Sequence, residues 1–251
     1  MLVEKLWSEI ISKVNEEIKI VGYAIGAKYS YAIVEGKYGR AMGTAYVPLE
    51  DIGKGHSRVP KISIVESMLS STNIFEKSLG VAILNALSQY LLWNMGKGKN
   101  FKIIYKNIIE KVAGMCVGCK TVVVGNMVPV VSRLKEMDVD VVALERNPRF
   151  RGGAMADVFA PRIVPEAEAL IITGTTLIND SLEHLLSLAE RARVVALVGP
   201  SGSVYPSDIL EGITHIAGLK MENMEKVAEI IKLGGGRWDF SKYAKEYIIQ
   251  P

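Results

Sequence analysis

The run TVVVGN at residues 121–126 sets the reading of the chain's second half. Thr121–Val124 are all β-branched, and the run stops on Gly125-Asn126. The same form returns in VDVVALE (139–145), ALIITG (169–174), RVVALVGP (193–200) and HIAGLK (215–220). Neither face of these runs is consistently polar, as expected of parallel strands covered on both sides. Helical patterns over about 127–137, 179–191 and 222–233 lie between or after them, while 146–168 and 199–214 read as loops with short helices. Strand alternating with helix predicts an α/β class with a Rossmann-like, mostly parallel sheet.

Toward the N-terminus the pattern changes. Residues 2–17 carry Leu2, Leu6, Ile10 and Val14 at helical spacing, which predicts an amphipathic packing helix. Residues 19–47 break into three short β-rich runs punctuated by glycine, an antiparallel meander with a hairpin turn at Glu35–Gly39. A polar loop over 50–60 precedes helices at about 62–70 and 78–93. Asn85 sits inside the second, largely apolar helix, so it either bonds backbone or faces a cleft as a ligand contact. GKGKNFK (96–102) reads as a basic, flexible join. Charge shifts near it: residues 1–120 are net +6 and residues 121–251 net −3. The expected division is a smaller α+β domain over 1–97 and the Rossmann-like domain over 98–251.

Composition excludes several classes. Thirty Lys+Arg against 27 Asp+Glu leave a net charge of +3, too little for a nucleic-acid-coating protein. An apolar fraction of 49% is ordinary for a globular chain. Two cysteines cannot make a disulfide framework. The N-terminus lacks a signal-peptide apolar region, and the apolar segment Leu79–Met95 is interrupted by Asn85, Ser88 and Gln89. The expectations are a cytoplasmic protein with no nucleic-acid or membrane partner. A homodimer is expected through the open edge of the meander.

Ligands of open α/β sheets bind beyond the carboxyl ends of the strands. Those ends read Gly125-Asn126, Glu145-Arg146, Gly174-Thr175-Thr176 with Asn179, and Gly199-Pro200-Ser201. All are polar or glycine-rich directly after an apolar run, which predicts a crevice. Glu145 lies 20 residues beyond Gly125, where Rossmann domains bind ribose, yet VGNMVPV has no GxGxxG, so pyrophosphate is not indicated. Glu145 is open to three roles here: ligand carboxylate, general base or salt-bridge partner. Asn179 or Asp180 is placed to cap a following helix whose N-terminus would favour an anion. Arg146, Arg149 and Arg151 could clamp carboxylates or phosphates, or simply be solvated. Cys116 and Cys119 form a lone CxxC, at most half of a closed zinc site, and precede a strand. His56, His184 and His215 have no metal-ligand spacing.

Three stretches together, SLGVAILNAL (78–87), ITGTTLIND (172–180) and LVGPS (197–201), resemble the putative heavy-metal chelation domain family. The resemblance implies an enolase N-terminal-like domain, a Rossmann-like domain and a ligand site between them. It implies a role in heavy-metal or tetrapyrrole chelation and carries over Asn85, Glu145, Gly174, Thr175, Thr176, Asn179, Gly199 and Pro200 as candidate site residues. The expectation is a small anionic ligand in an interdomain cleft, bound by these residues with Gly125, Asn126, Arg146 and Ser201. Glu145 is the candidate catalytic base, accepting protons as metal enters. The bound species would be a transition metal or a metal-binding organic ligand. The alternatives are a transferase binding an S-adenosylmethionine-like nucleoside, and a non-enzymatic metal or metallophore carrier.

Overall fold

Helix α1 (Leu2–Ser12) buries Leu2, Leu6 and Ile10 in the computed structural model, which describes residues 1–53 and 55–251. It ends five residues before the expected Glu17. Ser12 bonds back to the Glu9 carbonyl, and Glu16 leaves the helix to accept the Lys37 N–H and the Tyr90 hydroxyl. Strands β1 (Lys19–Ile25), β2 (Tyr29–Gly36) and β3 (Gly39–Tyr46) form the expected antiparallel meander. Lys37 and Tyr38 make its second turn, and Gly39 takes φ +101° there, a conformation glycine adopts without steric cost.

Two helices follow, α2 (Val65–Leu69) and α3 (Ile74–Gln89), and α3 runs on into a π turn over Tyr90–Asn94. Helix α3 is buried almost all round. A helix in that position has layers on both sides, and its weak amphipathicity agrees with this. On one side lies the meander. Gly43 of β3 faces α3 so closely that a Cβ there would strike the backbone of Ala82, Asn85 and Ala86. Alternate residues of β2 point the other way: Ala32 and Val34 pack with α3, Tyr31 with the core beyond.

The second half begins with β4 (Lys102–Ile104), so part of the expected flexible join is a strand. Then come α4 (Ile108–Met115), β5 (Thr121–Val124), α5 (Val128–Glu136), β6 (Val141–Glu145) and the two-residue β7 (Met155–Ala156). They are followed by α6 (Ala160–Ile163), β8 (Ala169–Thr173), α7 (Leu182–Leu188) and β9 (Val194–Val198). Last are β10 (His215–Met221), α8 (Met224–Lys232), α9 (Arg237–Phe240) and β11 (Ala244–Gln250). The sheet order is β4-β11-β10-β9-β8-β5-β6-β7. From β10 to β7 every pairing is parallel, and β11 is antiparallel to both its neighbours. The five expected strands are present. Their apolar side chains divide between two cores, one on each face of the sheet. No helix among the described residues is long and apolar enough to cross a membrane.

Polar side chains of α3 bind the two halves. Asn85 is fully buried, and its Nδ2 donates to the carbonyls of Thr44 at 2.9 Å, Ser201 at 2.9 Å and Pro200 at 3.3 Å. One turn on, Gln89 Nε2 donates to the Ser203 carbonyl at 2.9 Å and the Tyr247 hydroxyl at 2.7 Å. At the helix start, Lys77 pairs with Asp180. Removing a buried donor leaves its acceptors without water or protein, at about 1–3 kcal/mol per group. Asn85→Ala is therefore expected to lower the free energy of unfolding by about 3 kcal/mol. Urea unfolding of variant and parent checks this, and a loss below about 0.5 kcal/mol, the usual range for a neutral surface change, would mean the bracket is not what joins the halves.

Candidate functional site

Strands β5, β6 and β7 step away in one direction and β8, β9 and β10 in the other, the order 3-2-1-4-5-6 of a dinucleotide-binding sheet. The reversal falls between β5 and β8. Diverging loops leave a crevice at such a point, and a cleft of about 320 Å³ opens there, closed from above by Tyr29, Tyr46 and the Pro48–Asp51 segment.

The loops that floor the cleft are held by their own polar groups. Gly125 turns the chain at φ +86°, against the Thr173 side chain. Glu145 accepts the Asn126 N–H on Oε2 and the Asn147 N–H on Oε1, each at 2.8 Å. Asn126 Nδ2 in turn donates to the Phe150 carbonyl at 2.9 Å and the Arg151 carbonyl at 3.2 Å. Glu145 is thus a bracket between two loops, with neither oxygen unpartnered. Arg146 pairs with Asp51 at 3.2 Å, and Arg151 bonds back to the carbonyls of Glu145 and Arg146. Of the three arginines only Arg146 lines the cleft.

After β8, residues Gly174–Leu177 form a single 3-10 turn, and α7 starts only at Leu182. Thr173 and Thr175 share a hydroxyl contact at 3.1 Å, and Thr176 Oγ1 donates to the Thr173 carbonyl. Asn179 Oδ1 accepts from the Ser181 backbone and hydroxyl, while Asp180 takes the left-handed φ of +59°. Neither caps α7, so the expected anion site at a helix start is not built. Local side-chain bonds have taken those donors and acceptors for the turn itself.

Seven of the twelve candidate residues line the cleft: Gly125, Asn126, Glu145, Arg146, Thr175, Thr176 and Asn179. Five do not. Asn85 and Ser201 are buried in the seam, where Ser201 Oγ accepts the Tyr46 N–H at 2.9 Å. Gly174 is pressed against the backbone of Ser201 and Gly202. Gly199 and Pro200 line a neighbouring groove instead.

The cleft also holds residues that strand-end reading misses. Tyr29 and Tyr46 are cross-strand partners in the meander and meet edge to face at 5.7 Å. Burial pushes the Tyr29 phenol up to about 12, against the pull of the nearby Arg237 charge. Burial also raises the Tyr46 phenol, assisted by Glu50 and Glu145. Both are neutral hydrogen-bond donors at neutral pH. Four carboxylates, of Glu50, Asp51, Glu145 and Asp157, face one guanidinium, Arg146. The register of the meander was the available signal for the tyrosines. Nothing in the sequence placed Glu50 or Asp157 opposite the sheet.

The donor set does not fit a bare metal ion. Among the described residues no group of three or more His, Cys, Asp or Glu side chains is placed to hold one. Both cysteines lie before β5, at the sheet end opposite the cleft, and His215 starts β10 at that same end. His215 is engaged by Thr214 at 2.8 Å and Gln250 at 2.9 Å, and burial pushes its imidazole down.

A family model described as "Putative heavy-metal chelation" matches residues 107–250, and a second model with the same description matches 8–88. An uncharacterized protein of Methanocaldococcus jannaschii is 32% identical over 253 residues, spanning 96% of this chain and 93% of its own. A crystal structure of a protein with unknown function from Pyrococcus horikoshii matches with a TM-score of 0.87 at 28% identity, covering all of both chains. A second, from Desulfitobacterium hafniense, matches at 0.78 and 19% identity over 98% of both, a likeness of fold.

Burial raises the Cys116 thiol to about 11, and its Sγ contacts the Val112 carbonyl at 3.3 Å. The thiolate is the reactive form. Iodoacetamide at about pH 8, below that raised value, is therefore expected to leave Cys116 unmodified in the native protein, any labelling falling on Cys119. Peptide mass spectrometry before and after denaturation reads this directly. Labelling of native Cys116 would refute it.

Proposed function

Since the chain belongs to the family described as putative heavy-metal chelation, we propose that its switch-point cleft binds a small organic chelate, with the metal as cargo held by the chelator's own donors. The observation that carries this reading is the charge of the cleft. Four carboxylates and one guanidinium favour a ligand with positive charge, yet they include no three-donor cage for a naked ion. A metallophore or metal-tetrapyrrole class of ligand meets both conditions. The expectation of a simple anion in this cleft is the weaker one, because the threonine turn and Glu145 already use their polar groups internally.

Within this reading Tyr29 and Tyr46 donate to ligand oxygens, and their rings shield the site from water. Glu145 positions the Gly125–Met127 and Arg146–Asn147 loops. If metal enters the chelator here, its ligating atoms must lose protons. Glu50 and Asp157 are the acceptors with no partner among the described residues, so they replace Glu145 as the candidate bases. A carrier would use the same cleft with no base at all. A nucleoside ligand is less favoured: the acid at its ribose position, Glu145, accepts two backbone N–H groups.

Native mass spectrometry with elemental analysis, on protein purified without oxygen, tests the reading. The expected result is a stoichiometric organic mass accompanied by metal. An adenosyl mass without metal would favour the nucleoside reading, and metal without any organic component would sink this one. Glu50→Gln combined with Asp157→Asn removes two charges from the cleft. It is expected to weaken the chelate about tenfold in calorimetry, roughly 1.4 kcal/mol from two partly solvated charges. Turnover of free metal and chelator distinguishes an enzyme from a carrier.

A further inference from the structure

We propose that a groove continuing from the cleft, between the end of β9 and α9, is an oxyanion site that takes the carboxylate or phosphate end of the same ligand. The groove holds about 310 Å³ and shares Tyr29, Asn126, Met127 and Thr173 with the cleft. The two spaces therefore meet at the end of β5, on either side of Tyr29. The far wall of the groove is Arg237 and Trp238.

Arg237 is the reason to assign a ligand class. Its side chain is only 13% exposed. A guanidinium carries five N–H donors and cannot give up its charge. Among the described residues it has one acceptor, Glu246 Oε1, at a long 3.4 Å. The other oxygen of Glu246 already accepts the Ile108 N–H at 2.8 Å. Arg237 Nε is buried without any acceptor. A buried charge so incompletely paired is costly unless something outside the chain completes it. A planar oxyanion does so, because the guanidinium fork matches carboxylate and phosphate oxygens two by two.

The surroundings agree. The guanidinium lies 4.9 Å from the Trp238 ring, which is 62% exposed and forms a flat rim for an aromatic or conjugated body. Tyr29 presents a neutral hydroxyl with no partner among the described residues, and the Arg237 charge acts on that phenol. Polarity reverses along the combined space, acidic in the cleft and basic in the groove. The ligand it fits is bipolar, with a metal-bearing end under Tyr46 and an acidic end on Arg237. The bipolar assignment rests on the cleft reading; the affinity of the groove for an oxyanion does not.

The test titrates the full chain with inorganic phosphate, phenyl phosphate and benzoate, read by calorimetry and by tryptophan fluorescence. Saturable binding of at least one is expected, with quenching that disappears in Trp238→Phe while the calorimetric signal stays. Arg237→Gln is expected to weaken it about tenfold or more, the loss typical of a bidentate charged contact, and Arg237→Lys to weaken it less. Phosphate binding without benzoate binding assigns a phosphate end, and the reverse a carboxylate end. Arg191→Gln, an exposed arginine at the opposite end of the sheet, should leave these titrations unchanged. Non-saturating titrations with all three probes would overturn the proposal, as would Arg237→Gln binding like the parent. Should Arg237→Gln fail to fold, Trp238→Ala at the exposed rim replaces it, and undiminished affinity for phenyl phosphate and benzoate there counts against the site. If oxyanions bind through Arg237 but no metal chelate is found, the groove stands and the cleft reading falls. If a chelate is found and Arg237→Gln holds it as tightly as the parent, the groove alone falls.

Discussion

A helix buried on every side must find fixed partners for each polar group it carries. Helix α3 meets most of this demand with groups of the second half: Asn85 Nδ2 on the Pro200 and Ser201 carbonyls, Gln89 Nε2 on the Ser203 carbonyl and Lys77 on the Asp180 carboxylate, while Asn85 Oδ1 is buried without a partner. These bonds are directional and sheltered from water, so they set the position of the meander over the sheet. The roof of the cleft is the far end of that same meander. Tyr46 lies one residue beyond the Ala45 that packs on α3, and its N–H bonds Ser201 Oγ. The seam thus positions the cleft without lining it. Asn85 is the clearest example, carried over as a ligand contact and found joining two backbones.

The floor of the cleft obeys a similar economy of polar groups. Glu145, Asn126 and the threonines of the β8 turn hold one another or nearby backbone. A cleft floor built this way is already ordered, which would reduce the ordering cost of binding a ligand there. What it offers a ligand is correspondingly narrow: two neutral phenols, acidic side chains from the roof and the β7 region, and the guanidinium beyond Tyr29.

The parallel core was legible because its signal is local. β5, β6, β8 and β9 are runs rich in β-branched residues that end in glycine or a polar residue, and β10 carries a short apolar run that ends at Lys220. Strands β4, β7 and β11 carry no such signal. β4 and β7 are too short for a period, and AKEYIIQ (244–250) sets Lys245-Glu246 beside Tyr247-Ile248-Ile249, with no period of two to read. Seven of the strand-end residues line one crevice. They could not separate residues facing the cleft from those facing the seam, because Gly174 and Ser201 carry the same local pattern as Thr175. Tyr29, Glu50, Asp157 and Arg237 come from elements far apart in the chain, and only the packed fold brings them together.

The pairing of β4 with β11 has a kinetic meaning. Lys102–Ile104 meets Ile248–Gln250, so the strand that opens the second half waits for a segment synthesised long after it. The meander likewise packs against α8 and against Phe240, which Tyr29 touches edge to face at 5.2 Å. Both contacts close very long loops, whose entropy must be met before the contact returns anything. During synthesis from the N-terminus, β10 and the meander therefore emerge with an uncovered edge and face. The groove walled by Arg237 and Trp238 forms later than the floor of the cleft. A chain halted before β11 would already contain the cleft-floor residues while lacking the strand that seals the sheet.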